Sequence, residues 1–294
     1  MHNVRVKEVK DSPIRDKVVV ITGASSGIGK AVSLALADHK PKLVIVARRK
    51  KKLMQTAKDL RRLGLKVLPI TADVRDSDDR NRIIDFSITA FGSIDVFINN
   101  AGLGKVNLFL EQPEEEINEL IDTNIVSLIK LTQKAAKVMK EQGHGHIINL
   151  SSTLAMLPTY PFAVYSATKS AVKIFGDCIR EEMLGHGIFV STVLPGPYNT
   201  EFNQVANIGK ASFKGYEVAK LAQEIVKLIL KPKENLIHPK MFKPLIWITK
   251  RSKKFKKKVV SSIASQIITG KHVTDRELTS EKEVVNAELQ IVTS

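Results

Sequence analysis

Four consecutive β-branched residues at 18–21 run directly into Thr22-Gly23-Ala24-Ser25-Ser26-Gly27-Ile28-Gly29 and on into Lys30-Ala31-Val32. A strand that passes through a glycine-rich turn into a helix leaves little freedom of fold, because it starts a βα unit whose helix N-terminus faces the end of the sheet. Glycines there allow positive φ and close backbone approach. The unpaired N–H groups and the helix dipole attract an anion, and a pyrophosphate suits them best. The spacing is G-x-x-x-G-x-G rather than the commoner G-x-G-x-x-G. Taken by itself, the turn also admits a blander reading, a tight βα turn without ligand.

The alternation continues along the chain. Short apolar runs at 43–46, 67–70, 96–98, 147–150 and 189–193 are separated by helix-compatible stretches at 28–38, 50–63, 77–90, 114–141, 165–184 and 216–230. The apolar residues of each run are consecutive, as in parallel strands covered on both faces. Gly64, Gly92, Gly143, Gly145, Gly185 and Gly187 fall where helices should stop before the next strand. Repeated βα units predict one open parallel sheet with helices on each side. The long connection at 196–215 reads either as a lid or as an irregular surface loop.

About twenty residues beyond the glycines, at the end of the second strand, such a fold meets the ribose of an adenosine. Arg48 and Arg49 stand there, followed by Lys50, Lys51 and Lys52. An acidic residue would bond a 2′-hydroxyl, whereas guanidinium groups suit a 2′-phosphate through charge-assisted, bidentate contact. NADP(H) is therefore expected over NAD(H). The competing reading makes the same cations a solvated helix start.

Tyr165 and Lys169 lie four residues apart at the start of a helical stretch, so one turn brings both to one face. A cation beside a phenol stabilises phenolate and brings its pKa of about 10 toward neutrality. Such a phenol can give a proton to an oxygen as hydride reaches its carbon, or accept one in reverse. Ser152 follows the run at 147–150, at the strand end that faces the ligand crevice of open α/β sheets. A hydroxyl there can hold a carbonyl oxygen as charge develops. Spacing alone also fits a snorkelling surface pair. His144 and His146 are too close in sequence to ligate from one helix face and read as solvated, so no metal is expected. The acidic run at 114–116 after Pro113 reads as a helix start favoured by the dipole.

Together these pieces resemble the short-chain dehydrogenase/reductase family. TGASSGIG (22–29), ADV (72–74), NNAG (99–102), Asn124, NLSS (149–152), YSATK (165–169) and PGPYNT (195–200) occur in that family's order and spacing over roughly 16–232. The resemblance implies a single Rossmann-type, doubly wound α/β domain. Its sheet would be mainly parallel and seven-stranded, with helices on both faces and the last strand near 235–237. It implies an NADP(H)-dependent carbonyl reductase or alcohol dehydrogenase. By position, Gly23, Ser25, Ser26, Gly27, Ile28 and Gly29 would cradle the cofactor phosphates, with Arg48 and Arg49 at the ribose. Asp73 and Val74 would contact adenine, while Asn100, Ala101 and Gly102 would back the cofactor. Asn124 would bend its helix and hold a water of the proton relay. Ser152 would orient the carbonyl, and Tyr165 would be the acid/base. Lys169 would bind the nicotinamide ribose and lower the tyrosine pKa. Pro195, Gly196 and Thr200 would place the nicotinamide. Thr168 stands where the family usually has Ser, a conservative change. Relatives associate through the helices matching 114–141 and 165–184, which implies a homodimer or homotetramer.

The chain departs from small relatives at its end. Residues 231–258 carry eleven Lys/Arg against one acid, Glu234, and so supply +10 of the net +16. Phe255, Val259, Val260, Ile263, Ala264, Ile267 and Ile268 form a helical stripe beside those cations. Three roles are open. The segment docks on its own domain and shapes the substrate pocket, it rests through 240–268 on an anionic membrane surface, or it meets nucleic acid. The last is disfavoured because only Phe255 interrupts the Lys run as an aromatic. The organisation read from this is an N-terminal arm at 1–15, a catalytic domain at 16–232, a basic amphipathic extension at 233–270 and a flexible tail at 271–294. Cys178, the single cysteine, lies in an apolar helical pattern and reads as a buried thiol in a reducing compartment. With no secretory signal and no long apolar run, the expected location is cytoplasmic, with peripheral membrane association. A lipid-facing entrance favours a small hydrophobic carbonyl or alcohol of 3-oxoacyl, retinoid or steroid type, with Leu154, Met156, Leu157, Phe162 and Phe202 as pocket walls. The alternative is a non-catalytic NADP-binding protein that works through its basic end at a membrane.

Overall fold

A computed structural model describes residues 9–202, 206 and 215–268, without the side chains of 263 and 265–268. The expected flexible tail, the outer part of the N-terminal arm and most of the 196–215 connection lie outside the described residues, as do the side chains of the stripe positions Ile263, Ile267 and Ile268. One sheet of seven strands runs in the order β3-β2-β1-β4-β5-β6-β7. The strands are β1 Val18–Thr22, β2 Lys42–Ala47, β3 Lys66–Thr71, β4 Val96–Asn99, β5 Gly145–Leu150, β6 Ile188–Pro195 and β7 Asn235–His238. Every pairing is parallel. The order turns back between β1 and β4, which opens a crevice at their carboxyl ends.

Among the described residues, seven helices pack around the sheet: α1 Gly27–Ala35, α2 Lys50–Arg62, α3 Ser77–Phe91, α4 Glu114–Ile121, α5 Ser127–Gln142, α6 Ala163–Leu184 and α7 Val218–Leu230. Alternate residues of β1 serve opposite layers, as strand geometry requires. Val19 and Ile21 pack with Val32, Leu53, Leu60 and Ile225 of α1, α2 and α7. Val18 and Val20 pack with Ile83, Leu131 and Met139 of α3 and α5. Each such buried side chain contributes roughly 1.5–3 kcal/mol, so both faces of β1 are held in place. α3 starts at Asp76, whose side chain accepts from the Asp79 N–H, and stops at Gly92 with φ +83°.

The structure corrects several expectations. The helix expected over 114–141 is α4 and α5 joined by a π turn, Asp122–Val126. Cys178 is exposed, because α6 turns Val172 and Gly176 inward and Ile174 and Cys178 outward. His146 is buried on β5, with Nε2 2.8 Å from Ser191 Oγ, and is not solvated. β7 pairs with β6 and completes the sheet, so a boundary after 232 would cut it off. The extension proper follows His238. It contains two further helices, α8 Phe242–Arg251 and α9 Lys253–Ile268.

Candidate active site

The glycine-rich turn ends β1 at the crevice. Ser26, at the N-cap of α1, makes no side-chain capping bond, and the first turn holds no acid. Its N–H groups are therefore left to bind an anion. The glycines differ in their reasons. A Cβ on Gly23 would lie 2.8 Å from Asn100 Nδ2, and one on Gly29 2.6 Å from the Gly23 carbonyl oxygen, so packing of the turn itself forbids a side chain at both. Gly27 has φ +55°, and a Cβ there would meet nothing nearer than Thr200 at 3.5 Å. Asn100 braces the turn, donating through Nδ2 to the carbonyls of Thr22 (2.8 Å) and Gly23 (3.2 Å). Ala101 donates its N–H to Thr22 Oγ1 at 3.0 Å.

At the ribose end the two arginines diverge. Arg49 donates to Ser26 Oγ (2.5 Å) and Ser25 Oγ (3.3 Å), and so reaches over the turn. Its other nitrogen donates to Glu201 Oε2 at 2.7 Å, and Lys52 donates to Glu201 Oε1 at 2.7 Å. A carboxylate thus sits where a phosphate would suit the same cations. Arg48 points instead to Asp73 at 3.6 Å. Partial burial would raise the Asp73 pKa, but its bonds to Arg75 prevail and hold it below the ordinary carboxylate value. Val74 beside it is buried. The sequence reading missed Glu201 and did not single out Lys52 from the lysine run. Nothing in a one-dimensional pattern links position 201 to 49 and 52.

Ser152 ends the β5 segment, and Tyr165 and Lys169 follow on the first turns of α6, all three buried. The Ser152 hydroxyl accepts from the Leu154 N–H at 3.1 Å and lies close enough to the Tyr165 phenol to pull its pKa down. Ser151 turns away and donates to the Lys169 carbonyl at 2.7 Å. Lys169 Nζ donates to the Leu150 carbonyl at 2.9 Å and lies 5.8 Å from the Tyr165 ring centre. The expected lowering of the tyrosine pKa does not hold for the chain alone. Burial pushes the phenol up to about 12 against the pull of Ser152, and pushes the ammonium down to about 8. Asn124 lies in the π turn, accepting from the Leu103 N–H (3.0 Å) and donating to the Leu103 carbonyl (2.9 Å) and Thr168 Oγ1 (3.1 Å). It ties the irregular segment that follows β4 to α6. The glycine of that segment, Gly102, faces both Asn124 and Lys169.

An apolar wall surrounds the phenol. Phe162 and Phe202 lie 5.8 and 5.6 Å from its ring, and Leu103, Val106 and Leu154 join them. Leu103 and Val106 escaped the sequence reading because they lie outside any strand or helix. Two expected wall residues fall elsewhere: Leu157 is fully buried, and Met156 lines a separate groove with Ser170 and Ile174. Pro195 ends β6, and the Gly196 N–H donates to the His238 carbonyl at 2.8 Å.

Comparison with known proteins matches this architecture. The short chain dehydrogenase family matches residues 17–211. An uncharacterized oxidoreductase of Staphylococcus aureus is 30% identical over 232 residues, 79% of this chain and 99% of that one. A short-chain dehydrogenase from Sphingobium yanoikuyae in complex with NADPH superposes with a TM-score of 0.72 at 30% identity, covering 76% of this chain and 88% of the other. A short-chain dehydrogenase/reductase from Burkholderia phymatum in complex with NAD has a TM-score of 0.72 at 21% identity, covering 78% and 91%, a likeness of fold alone. Among the described residues no group of side chains suits a metal ion.

Proposed function

Because the chain belongs to the short-chain dehydrogenase family, we propose that this oxidoreductase is an NADPH-dependent carbonyl reductase. Its substrate is a small hydrophobic carbonyl compound of 3-oxoacyl, retinoid or steroid type. The observation that carries the reading is the burial of Ser152, Tyr165 and Lys169 together, with the Lys169 ammonium 5.8 Å from the phenol ring, within an apolar wall.

The residues present fit a dinucleotide. The α1 N-terminus lacks a side-chain cap and can hold the pyrophosphate, with Gly27 open toward it. Arg49 and Lys52 can take a 2′-phosphate in exchange for the Glu201 carboxylate. The NADPH complex of the Sphingobium relative supports that choice. When bound, the nicotinamide supplies the hydride. The chain's own groups then manage the oxygen of the substrate. Ser152 holds it by a hydrogen bond, and Tyr165, protonated at neutral pH with its pKa near 12, donates the proton as charge develops there. Lys169 holds the nicotinamide ribose, Asn124 fixes the strand-end segment against α6, and Pro195, Gly196 and Thr200 border the nicotinamide. Phe162, Phe202 and Leu103 exclude water and strengthen each electrostatic contact.

A panel of 3-oxoacyl, retinoid, steroid and small quinone compounds, followed by the fall of NADPH absorbance, tests the proposal. At least one hydrophobic class should be reduced, with a higher kcat/KM for NADPH than for NADH. Better turnover with NADH would count against the role given to Arg49 and Lys52.

A further inference from the structure

Residues 235–268 contain no Asp or Glu, and residues 240–258 hold nine Lys/Arg. The fold fixes how this segment is presented. A Cβ on Gly196 would meet Phe242 of α8 at 2.9 Å and Pro239 at 3.1 Å, and Thr159 donates to the Val260 carbonyl of α9 at 3.1 Å. Ile246, Thr249 and Ala264 are buried. The helix pair is therefore docked on the catalytic domain through one face, next to the loop at 153–162.

The opposite face of α8 is not purely polar, as a solvated surface helix would be, but mixes exposed apolar side chains with cations. Met241 (63%), Trp247 (57%) and Ile248 (39%) are exposed there. Arg251 stacks on Trp247, its guanidinium 3.8 Å from the ring centre. Lys240, Lys243, Lys250, Lys253, Lys254, Lys256 and Lys258 are also exposed around them. No described helix is long and apolar enough to cross a membrane.

We propose that the outward face of α8, with the start of α9, is a docking surface for an anionic lipid bilayer. Charge complementarity names the sign of the partner, since a cationic surface with no acid draws anionic headgroups at about fivefold in affinity per cation. The exposed Trp, Met and Ile name its nature. A tryptophan bordered by an arginine suits the headgroup boundary, with the apolar atoms just below it. Phosphates of a nucleic acid would match the cations and leave those apolar side chains in water. The surface lies beside the loop that borders Tyr165, so a docked enzyme would draw a greasy substrate from the bilayer. The surface itself stands whether or not that chemistry does.

Trp247 is the only tryptophan, so fluorescence of the full chain excited selectively at tryptophan, clear of the tyrosines, reports this face. The protein is titrated with phosphatidylcholine vesicles with and without phosphatidylserine, and with duplex DNA. Co-sedimentation with the phosphatidylserine vesicles, at least tenfold weaker on neutral vesicles, is expected. It should be accompanied by a blue shift and by quenching from brominated acyl chains. The triple change Lys250→Glu, Arg251→Glu and Lys254→Glu should cut binding at least tenfold. Met241→Ser with Ile248→Ser should abolish the blue shift. Both variants should keep the wild-type Tm and NADPH affinity, which separates this result from any failure of the reductase reading. Vesicle binding without a change at Trp247, tighter binding to DNA than to lipid, or self-association that buries Trp247 without lipid would each overturn the proposal.

Discussion

Within the proposed site the phenol of Tyr165 and the ammonium of Lys169 are both moved toward their neutral forms, to about 12 and about 8. In reduction that suits the tyrosine, which must carry a proton to give one. The cation that is already engaged is Arg49, which Glu201 holds together with Lys52. If NADPH is the cofactor, as proposed, its 2′-phosphate has to replace that carboxylate. Glu201→Gln is therefore expected to lower KM for NADPH several-fold in steady-state assays, with KM for NADH unchanged. An increase in KM for NADPH would show that Glu201 clasps the cofactor and does not compete with it.

At the scale of elements, β5 and β6 are joined by a histidine that cannot accept a proton cheaply. Ser191 Oγ donates to the Lys233 carbonyl, so His146 Nε2 must donate to Ser191. His146 Nδ1 is buried without a partner. Burial pushes the His146 pKa down to about 4. The unfolded chain takes up this proton below about 6.5, whereas the folded chain waits until about 4. Stability is therefore lost as pH falls through that window, by up to about 3 kcal/mol. Urea unfolding at pH 7 and pH 5 should show this, and His146→Phe should flatten the difference; an unchanged pH slope in the variant would refute it. α6 supplies a second case. Ile174 is 61% exposed, and Ile129 of α5 and Ile121 of α4 are exposed as well. We predict that these helices form a homo-oligomer interface, so that light scattering finds a dimer or tetramer and Ile174→Lys shifts it toward monomer. A monomeric wild type would remove the idea. The parallel strands were legible in sequence because consecutive β-branched runs such as VVVIT have both faces to bury. The π turn at Asn124 was not, since the helical period passes through it unbroken. Neither was the burial of His146, because two glycines at 143 and 145 looked like a turn although β5 already begins at Gly145.

Over the whole molecule, chain order and spatial order come apart at the β1–β4 switch, where the crevice collects pieces from positions 22–29, 49, 100, 124, 152, 165, 169 and 200. Motif spacing made most of these readable, since each stands at the end of a strand or the start of a helix. The contacts made by the connection after β6, Glu201 on Arg49 and Phe202 on Tyr165, depend on how that connection folds back, and no periodicity encodes it. The proposed reduction requires that the phenol of Tyr165 move the proton. Tyr165→Phe keeps the ring in its wall of Phe162 and Phe202 and removes only the hydroxyl. With a reducible carbonyl compound and saturating NADPH, kcat should fall by roughly a hundredfold or more, while NADPH titration gives an unchanged Kd. A variant that still reduces the carbonyl compound within tenfold of the wild-type rate would contradict the assignment.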